Sequence, residues 1–348
     1  MAEEMTREET AIEETIPEET VSEEVATDQV AQEKVAPDQT TREEIWFDST
    51  DGTSKIHGYI WWPASDQHAG VVQLVHGMAE YIGRYDVFAR FLAEHGYVVC
   101  GHDHIGHGQS CAPSLHGKLP LREGKKVLVG DVDKLRMLMA ERVSPELPYF
   151  IFGHSMGSFV VRSYIAGHGE GLAGAIVCGT GFIPPATSSM GQLVAKVVAT
   201  FKGEGSTSGL LDSLSTGGYA KAIKNIRTPL DWLSYDEKNV DDYIADADCG
   251  FSFSAGGIAT LTSLTREVCD KVSAARVPKD LPLLYIAGDA DPVGDAGKGV
   301  QASVQLVKDA GVRDVTCIIY GHMRHEILNE AEHKKVFDDV LAWLEDRR

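Results

Sequence analysis

No stretch of this 348-residue chain approaches the roughly eighteen consecutive apolar residues that a membrane-crossing helix needs. A basic segment followed by an apolar core is also missing at the N-terminus, so no classical export signal is expected. The six cysteines (Cys100, Cys111, Cys178, Cys249, Cys269 and Cys317) are scattered and include no Cys-x-x-Cys. That pattern argues against a disulfide framework and suits reduced, mostly buried thiols in a cytoplasmic protein. Positive charge is scarce: 32 Lys and Arg stand against 52 Asp and Glu, a formal net charge of −20. Such a balance argues against nucleic acid as a partner and against electrostatic docking on anionic lipid.

The charge deficit is uneven. Residues 1–44 hold 3 Lys/Arg and 15 Asp/Glu, leaving 29 against 37 for the remainder. Residues 1–42 also carry a five-residue repeat of polar pairs, from Glu3-Glu4 and Glu8-Glu9 through Glu23-Glu24 to Glu33-Lys34 and Asp38-Gln39. Five residues advance roughly 140° round a helix, so the apolar positions never collect on one face. An odd period also flips face in a strand, and Pro17 and Pro37 interrupt both patterns. A solvated, disordered tail over 1–42 is expected.

From Glu43 the pattern changes. Ile45–Asp48 and Ile56–Trp62 alternate like two strands around Asp51-Gly52. Short apolar runs at Val71–Val75, Tyr97–Cys100, Pro148–Ile151, Ala175–Cys178, Leu283–Ala287 and Val315–Ile319 read as buried strands. Helical spacing appears after Val87, over about 126–142, from Phe159, over about 298–310 and over about 326–346. This alternation predicts an α/β fold, a mostly parallel sheet with helices on both faces. With 43% hydrophobic residues, the chain can bury a sizeable core. The alternation fails over 184–265, which is read as a cap inserted between core segments 43–183 and 266–348. An insertion there would lie over the carboxyl ends of the strands. Within it, Leu193, Val194, Val197, Val198 and Phe201 mark an amphipathic helix. Its apolar face is either a pocket roof and lipid-touching lid or an ordinary packing surface.

One motif organises the chain. Gly153-His154-Ser155-Met156-Gly157 lies between an apolar strand and a helix, the setting that turns Gly-x-Ser-x-Gly into a nucleophile elbow. Gly153 and Gly157 leave room for neighbouring backbone, the Ser155 hydroxyl stands clear, and the N–H of Met156 points at the same spot to hold an oxyanion. A serine hydroxyl needs an imidazole to take its proton, and the imidazole needs a carboxylate to orient it. Two later strands end in candidates: Asp289 or Asp291 after the first, His322 or His325 after the second. The residues alone leave both choices open. His102, Asp103, His104 and His107 have the chemistry of metal ligands but none of the spacing, so no metal is expected. No Gly-x-Gly-x-x-Gly follows the first central strand, and no dinucleotide cofactor is implied.

Over residues 44–346 these motifs resemble the α/β-hydrolases, in the monoacylglycerol lipase and lysophospholipase branch of serine aminopeptidase-like hydrolases. His76-Gly77-Met78-Ala79-Glu80 with Arg84-Tyr85 is similar to that branch's oxyanion loop, and Asp103-His104-Ile105-Gly106-His107-Gly108-Gln109-Ser110 to its neighbouring loop. Ser158 departs from the Gly that many members carry after the elbow. Asp231-Trp232-Leu233 and Asp248–Phe251 resemble the cap of bacterial members. The resemblance implies Asp291 as the acid, His325 as the base, and the N–H groups of Met78 and Met156 as oxyanion donors. It places Glu80 and Arg84 beside the site, either as contacts to a glycerol-like head group or as an ion pair shaping the loop. The expected activity is hydrolysis of monoacylglycerol- or lysophospholipid-type esters, with transient contact between cap and lipid surface and no cofactor. An amidase, thioesterase or peptidase with the same triad is the alternative, as is a silent fold that only binds ligand.

Overall fold

A computed structural model describes residues 40–348. The acidic repeat, residues 1–39, lies outside the described residues. Regular structure starts at Thr41, inside the segment read as tail. Arg42 is drawn into the fold, with its guanidinium 3.1 Å from Asp86 and 4.3 Å from the centre of the Tyr59 ring.

Eight strands form one sheet: β1 (Thr41–Asp48), β2 (Lys55–Trp62), β3 (Gly70–Val75), β4 (Tyr97–His102), β5 (Tyr149–His154), β6 (Gly174–Cys178), β7 (Leu283–Gly288) and β8 (Val315–Tyr320). Their order is β1-β2-β4-β3-β5-β6-β7-β8. The β1/β2 and β2/β4 pairs are antiparallel and the remainder parallel. Side chains alternate between the two faces, and both faces are apolar. Val71, Val75, Ile151, Val177 and Tyr285 point to one core, which α2 (Gly124–Ala140), α3 (Met156–His168) and α9 (Lys298–Asp309) cover. Val72, Leu74, Phe150, Phe152, Ile176 and Ile286 point to the other, under α1 (Asp86–Glu94) and α10 (His333–Glu345). This double covering, with the strand order above and an antiparallel pair at one edge, matches the α/β-hydrolase architecture that the resemblance implied.

The last helix begins at His333, seven residues later than the spacing suggested. Glu326 and Glu330 are the reason. Both are buried, with Glu326 bound to Arg84 and Glu330 to Ser234 and the main chain of Tyr235. Two carboxylates drawn in different directions by separate partners hold 326–332 in an irregular path.

Between β6 and β7 the chain forms α4 (Pro185–Lys202), α5 (Gly209–Ser215), α6 (Glu237–Ala245), α7 (Ala255–Val268) and α8 (Lys271–Arg276). α4 lies along α7, and small residues make the approach close. A Cβ added to Gly191 would stand 3.0 Å from Thr262, and the Ser188 and Thr265 hydroxyls are 2.9 Å apart. α7 also packs on α2 and α3, and position 265 falls inside it.

In strand order β3 lies between β4 and β5, so the chain leaves β3 toward one side of the sheet and returns to the other. A crevice opens at such a reversal, outside the carboxyl ends of the strands. The loops after β3 and β5 therefore meet.

The β1–β2 turn is tied to α2 by one buried side chain. Asp131 accepts hydrogen bonds from the Ser49 hydroxyl (2.8 Å), the Thr50 N–H (2.6 Å) and the Thr50 hydroxyl (2.8 Å). Asp131→Ala strands these donors, and we expect a loss of about 2–3 kcal/mol, read from the urea unfolding midpoint. A change near zero would show that the turn reorganises freely.

Candidate active site

Ser155 sits at φ 53°, ψ −120°, a conformation that a residue with a side chain adopts only when its surroundings impose it. The surroundings are backbone. A Cβ on Gly157 would overlap the carbonyl of Val75, and one on Gly153 would overlap the carbonyl of Gly157. The Ser155 N–H donates to the Cys178 carbonyl (3.0 Å), and the Ser158 hydroxyl donates to the Ser155 carbonyl (2.5 Å). Met156 is the first residue of α3, where N–H groups have no partner within the helix.

The loop after β3 comes close to the serine. A Cβ on Gly77 would stand 3.1 Å from the Ser155 Cβ. The Gly77 N–H donates to Glu80 (2.6 Å), and the His76 ring Nδ1–H donates to the Gly77 carbonyl (2.8 Å). In a trans peptide the N–H points opposite the C=O, so fixing the Gly77 carbonyl also fixes the direction of the Met78 N–H.

Asp291 and His325 meet below the same opening. The His325 Nδ1 is 3.0 Å from Asp291 Oδ2, and the other Asp291 oxygen accepts the Val293 N–H (2.8 Å). Asp291 is 0% exposed. The remaining nitrogen of His325, Nε2, is buried and has no hydrogen-bond partner. Asp289 and His322 lie elsewhere: both are exposed, and Asp289 accepts the backbone N–H of His322 (2.8 Å). The backbone of 324–326 is clamped to 231–234, through Arg324 donating to the carbonyl oxygens of Asp231 and Ser234 (2.6 and 3.0 Å) and the Glu326 N–H donating to Leu233 (2.7 Å). Trp232 brings its ring to 5.2 Å from that of His325.

Glu80 and Arg84 are bound to each other and to a third residue. Arg84 donates to Glu80 (2.9 Å) and to both oxygens of Glu326 (2.7 and 2.8 Å). Burial opposes the charge on Glu80, but the hydrogen bond from His154 and the guanidinium of Arg84 outweigh it and hold the carboxyl far below its usual range. Burial likewise opposes the charge on Glu326, and Arg84 again overcomes it. Glu326 and His154 were not distinguished in the sequence. Glu326 stood in a stretch with helical spacing, and nothing in that spacing marks a buried carboxylate.

The four candidate ligands after β4 do not converge. Asp103 accepts from His57 and from the N–H groups of Ile82 and Gln109, His104 donates to the His76 carbonyl, and both ring nitrogens of His102 lack partners. Among the described residues no group of three or more His, Cys, Asp or Glu is arranged to hold a metal.

Ser155, His325, Met78 and Met156 border a cavity of about 1400 Å³ including its mouth. Its other walls come largely from the segment between β6 and β7, including Val194, Leu230, Trp232 and Leu261.

A family model described as serine aminopeptidase, S33, matches residues 66–332. The chain belongs to that family. Its relatives place it in the monoacylglycerol lipase branch, and it is an enzyme, a hydrolase of the esterase type. It is 30% identical to a monoacylglycerol lipase of Mycolicibacterium smegmatis over 88% of this chain and 98% of that one. Against human monoglyceride lipase the identity is 27%, over 82% and 86% of the two chains. Among solved structures, a thermostable carboxyl esterase from Bacillus coagulans in complex with glycerol superposes with a TM-score of 0.80. The two chains are 31% identical, and the match covers 88% of this chain and 99% of that one. No helix among the described residues is long and apolar enough to cross a membrane.

Burial holds four histidines next to the site below the ordinary imidazole value: His102 and His107 at about 3, His104 well below it, and His76 lowered as well. Each stays neutral in the fold but binds a proton in the unfolded chain below about pH 6.5. The unfolded state therefore gains protons first, and the stability these residues contribute, complete above that pH, is lost as pH falls through it. We expect unfolding free energy to decline from about pH 6.5 downward, before carboxylates titrate, and the slope to shrink in His102→Phe. A flat profile down to about pH 5 would contradict this.

Proposed function

We propose that this hydrolase cleaves monoacylglycerol- or lysophospholipid-type carboxylic esters through an acyl-enzyme on Ser155. The observation that carries the reading is the largely apolar cavity lined by both Ser155 and His325, the latter held by Asp291. Its apolar lining suits an acyl chain, and the names of the relatives support carboxylic esters of the monoacylglycerol type. His325 takes the Ser155 hydroxyl proton on Nε2 while Oγ bonds to the ester carbon. Asp291 holds Nδ1–H and the charge that develops on the ring. The N–H groups of Met78 and Met156 receive the oxyanion. When the tetrahedral centre collapses, the carbon–oxygen bond to the alcohol breaks and His325 returns the proton to the alcohol. Water repeats the sequence on the acyl-enzyme and releases the acid.

Within this reading residues 184–265 are the cap. Glu80 and Arg84 shape the oxyanion loop instead of meeting the head group, because their polar atoms are taken up by each other, Gly77, Tyr85 and Glu326. Six free thiols suit a cytoplasmic location. The outer face of α4 is the contact with lipid. Met190, Leu193, Val197 and Phe201 fall on one side of the helix and are exposed, Phe201 by 85%. Met190 and Val194 also line the cavity, so the exposed stripe runs to its mouth.

Carboxylate release from a panel running from acetyl esters to long-chain monoacylglycerol and lysophospholipid tests the substrate class. We expect long-chain esters to be preferred and turnover to vanish in Ser155→Ala. Asp291→Asn should lower kcat by about a thousandfold or more while Asp289→Asn leaves it unchanged. Activity confined to acetyl esters, or to matched amides, would overturn the reading.

The lipid contact is tested separately. Phe201→Glu should lower turnover of vesicle-borne monoacylglycerol about tenfold, since burying a Phe ring is worth about 1.5–3 kcal/mol. Turnover of a water-soluble short ester should not change. Equal effects on both substrates would refute docking through α4.

A further inference from the structure

His154, the residue before Ser155, is 5% exposed and touches two different loops. Its Nδ1 lies 3.4 Å from Glu80 Oε1, and its Nε2 lies 3.2 Å from the main-chain carbonyl of His325. Both partners are acceptors. A carbonyl oxygen has no proton to give. Glu80 already accepts from the Gly77 N–H (2.6 Å), the Tyr85 hydroxyl (2.9 Å) and Arg84 (2.9 Å), which is the behaviour of an ionised carboxylate. Neutral imidazole has one N–H and one lone pair, so either tautomer would aim a lone pair at an oxygen. Only the doubly protonated ring satisfies both contacts.

The local charge favours the same answer. Glu80 and Glu326 bring two negative charges, and Arg84 bridges them with one positive charge. A neutral His154 would leave one buried negative charge without a counterion, whereas the imidazolium brings the group to zero. Four other titratable groups nearby are neutral and do not alter this count. Tyr85, with its ring 6.3 Å away, and the thiols of Cys178 and Cys249 are kept protonated by burial. Burial also keeps His76 neutral. The His325 ring, 4.7 Å away, has its own carboxylate in Asp291.

We propose that His154 is a positioning residue carried as an imidazolium, which ties the oxyanion loop through Glu80, and the main chain of His325, to the residue that precedes the nucleophile. This rests on the roles given above to Ser155 and His325. The loops that follow β3, β5 and β8 meet at one ring. Loss of its proton removes one of the two ties and unbalances the buried charge, while the hydrophobic cores are untouched. Burial works against the charge on His154, but the hydrogen bond and charge of Glu80, with Glu326 behind them, outweigh it, so the proton is held above the ordinary imidazole range. The linkage therefore runs opposite to that of the four neutral histidines. The stability this ring adds is complete below about pH 6.5 and is lost as pH rises through the folded value.

Nitrogen-15 NMR of the full chain labelled in histidine tests the charge directly, with the His154 ring assigned through bonds in the unsubstituted protein. At pH 7.5, about one unit above the free imidazole value, both His154 ring nitrogens should be protonated. One bare ring nitrogen at that pH overturns the proposal, whether or not any ester is turned over. Failure of catalysis is thus separable from failure of this inference. The positioning role is read from kcat and KM on a water-soluble ester across pH. In the unsubstituted enzyme kcat should fall on the alkaline side with the midpoint of the His154 titration. His154→Gln should lower kcat about tenfold or more with little change in KM, and its profile should lack that fall. An alkaline fall unchanged in His154→Gln, or a loss confined to KM, overturns the role.

Discussion

The start of α3 lies against the end of β3 so closely that position 157 has no room for a side chain: a Cβ there would overlap the Val75 carbonyl. That contact sets the depth at which α3 enters the sheet and forces Ser155 to positive φ. The helix N-terminus then faces the loop after β3, so Met78 and Met156, from two separate loops, border one opening. The cores on both faces of the sheet hold this arrangement. Strain at one residue, on the order of 1–3 kcal/mol, is tolerated because so much apolar surface is buried around it.

Charge near the opening is handled by pairing and by suppression. Glu80, Arg84 and Glu326 form a bridge in which one guanidinium serves two carboxylates, each on a different loop. Buried ion pairs of this kind contribute little net stability, because desolvation cancels most of the Coulomb gain. Their effect is geometric: a bidentate guanidinium permits only a narrow range of distances between the loops it joins. The histidines after β4 are kept neutral instead. Together with His76 they fill space as rings packed edge to face, His76 tilted against His104 at 4.2 Å and His104 edge-on to His102 at 5.2 Å. The site thus combines a rigid charged brace on one side with a neutral aromatic packing on the other.

The segment between β6 and β7 has two characters. Residues 231–236 are bound to the His325 loop through Arg324 and Glu330, and Trp232 packs on the His325 ring. α4 instead meets the body mainly through α7, along a line of small residues, and turns an apolar stripe outward. The first part braces the candidate base. The second provides apolar surface on both the cavity side and the outer side.

Local pattern in the amino-acid sequence determined the strands, the elbow and the loops that carry the candidate residues. Apolar runs define β3 to β7 to within a few residues, since a strand buried on both faces must be apolar throughout, whereas β8, read as buried too, lies at the sheet edge and is only partly covered, with Cys317 exposed. Gly153 and Gly157 mark the elbow because only glycine permits the backbone approach there. Contacts between loops were decided by tertiary structure alone. Asp291 and His325 are 34 positions apart, His154 and His325 171, and Arg84 and Glu326 242. Whether such residues touch depends on which strands are neighbours, and the order of strands in a sheet leaves no periodicity in the chain. The late start of α10 has the same origin: Glu326 and Glu330 fit a helical spacing locally, but Arg84 and Ser234, brought in by the fold, bind their carboxylates.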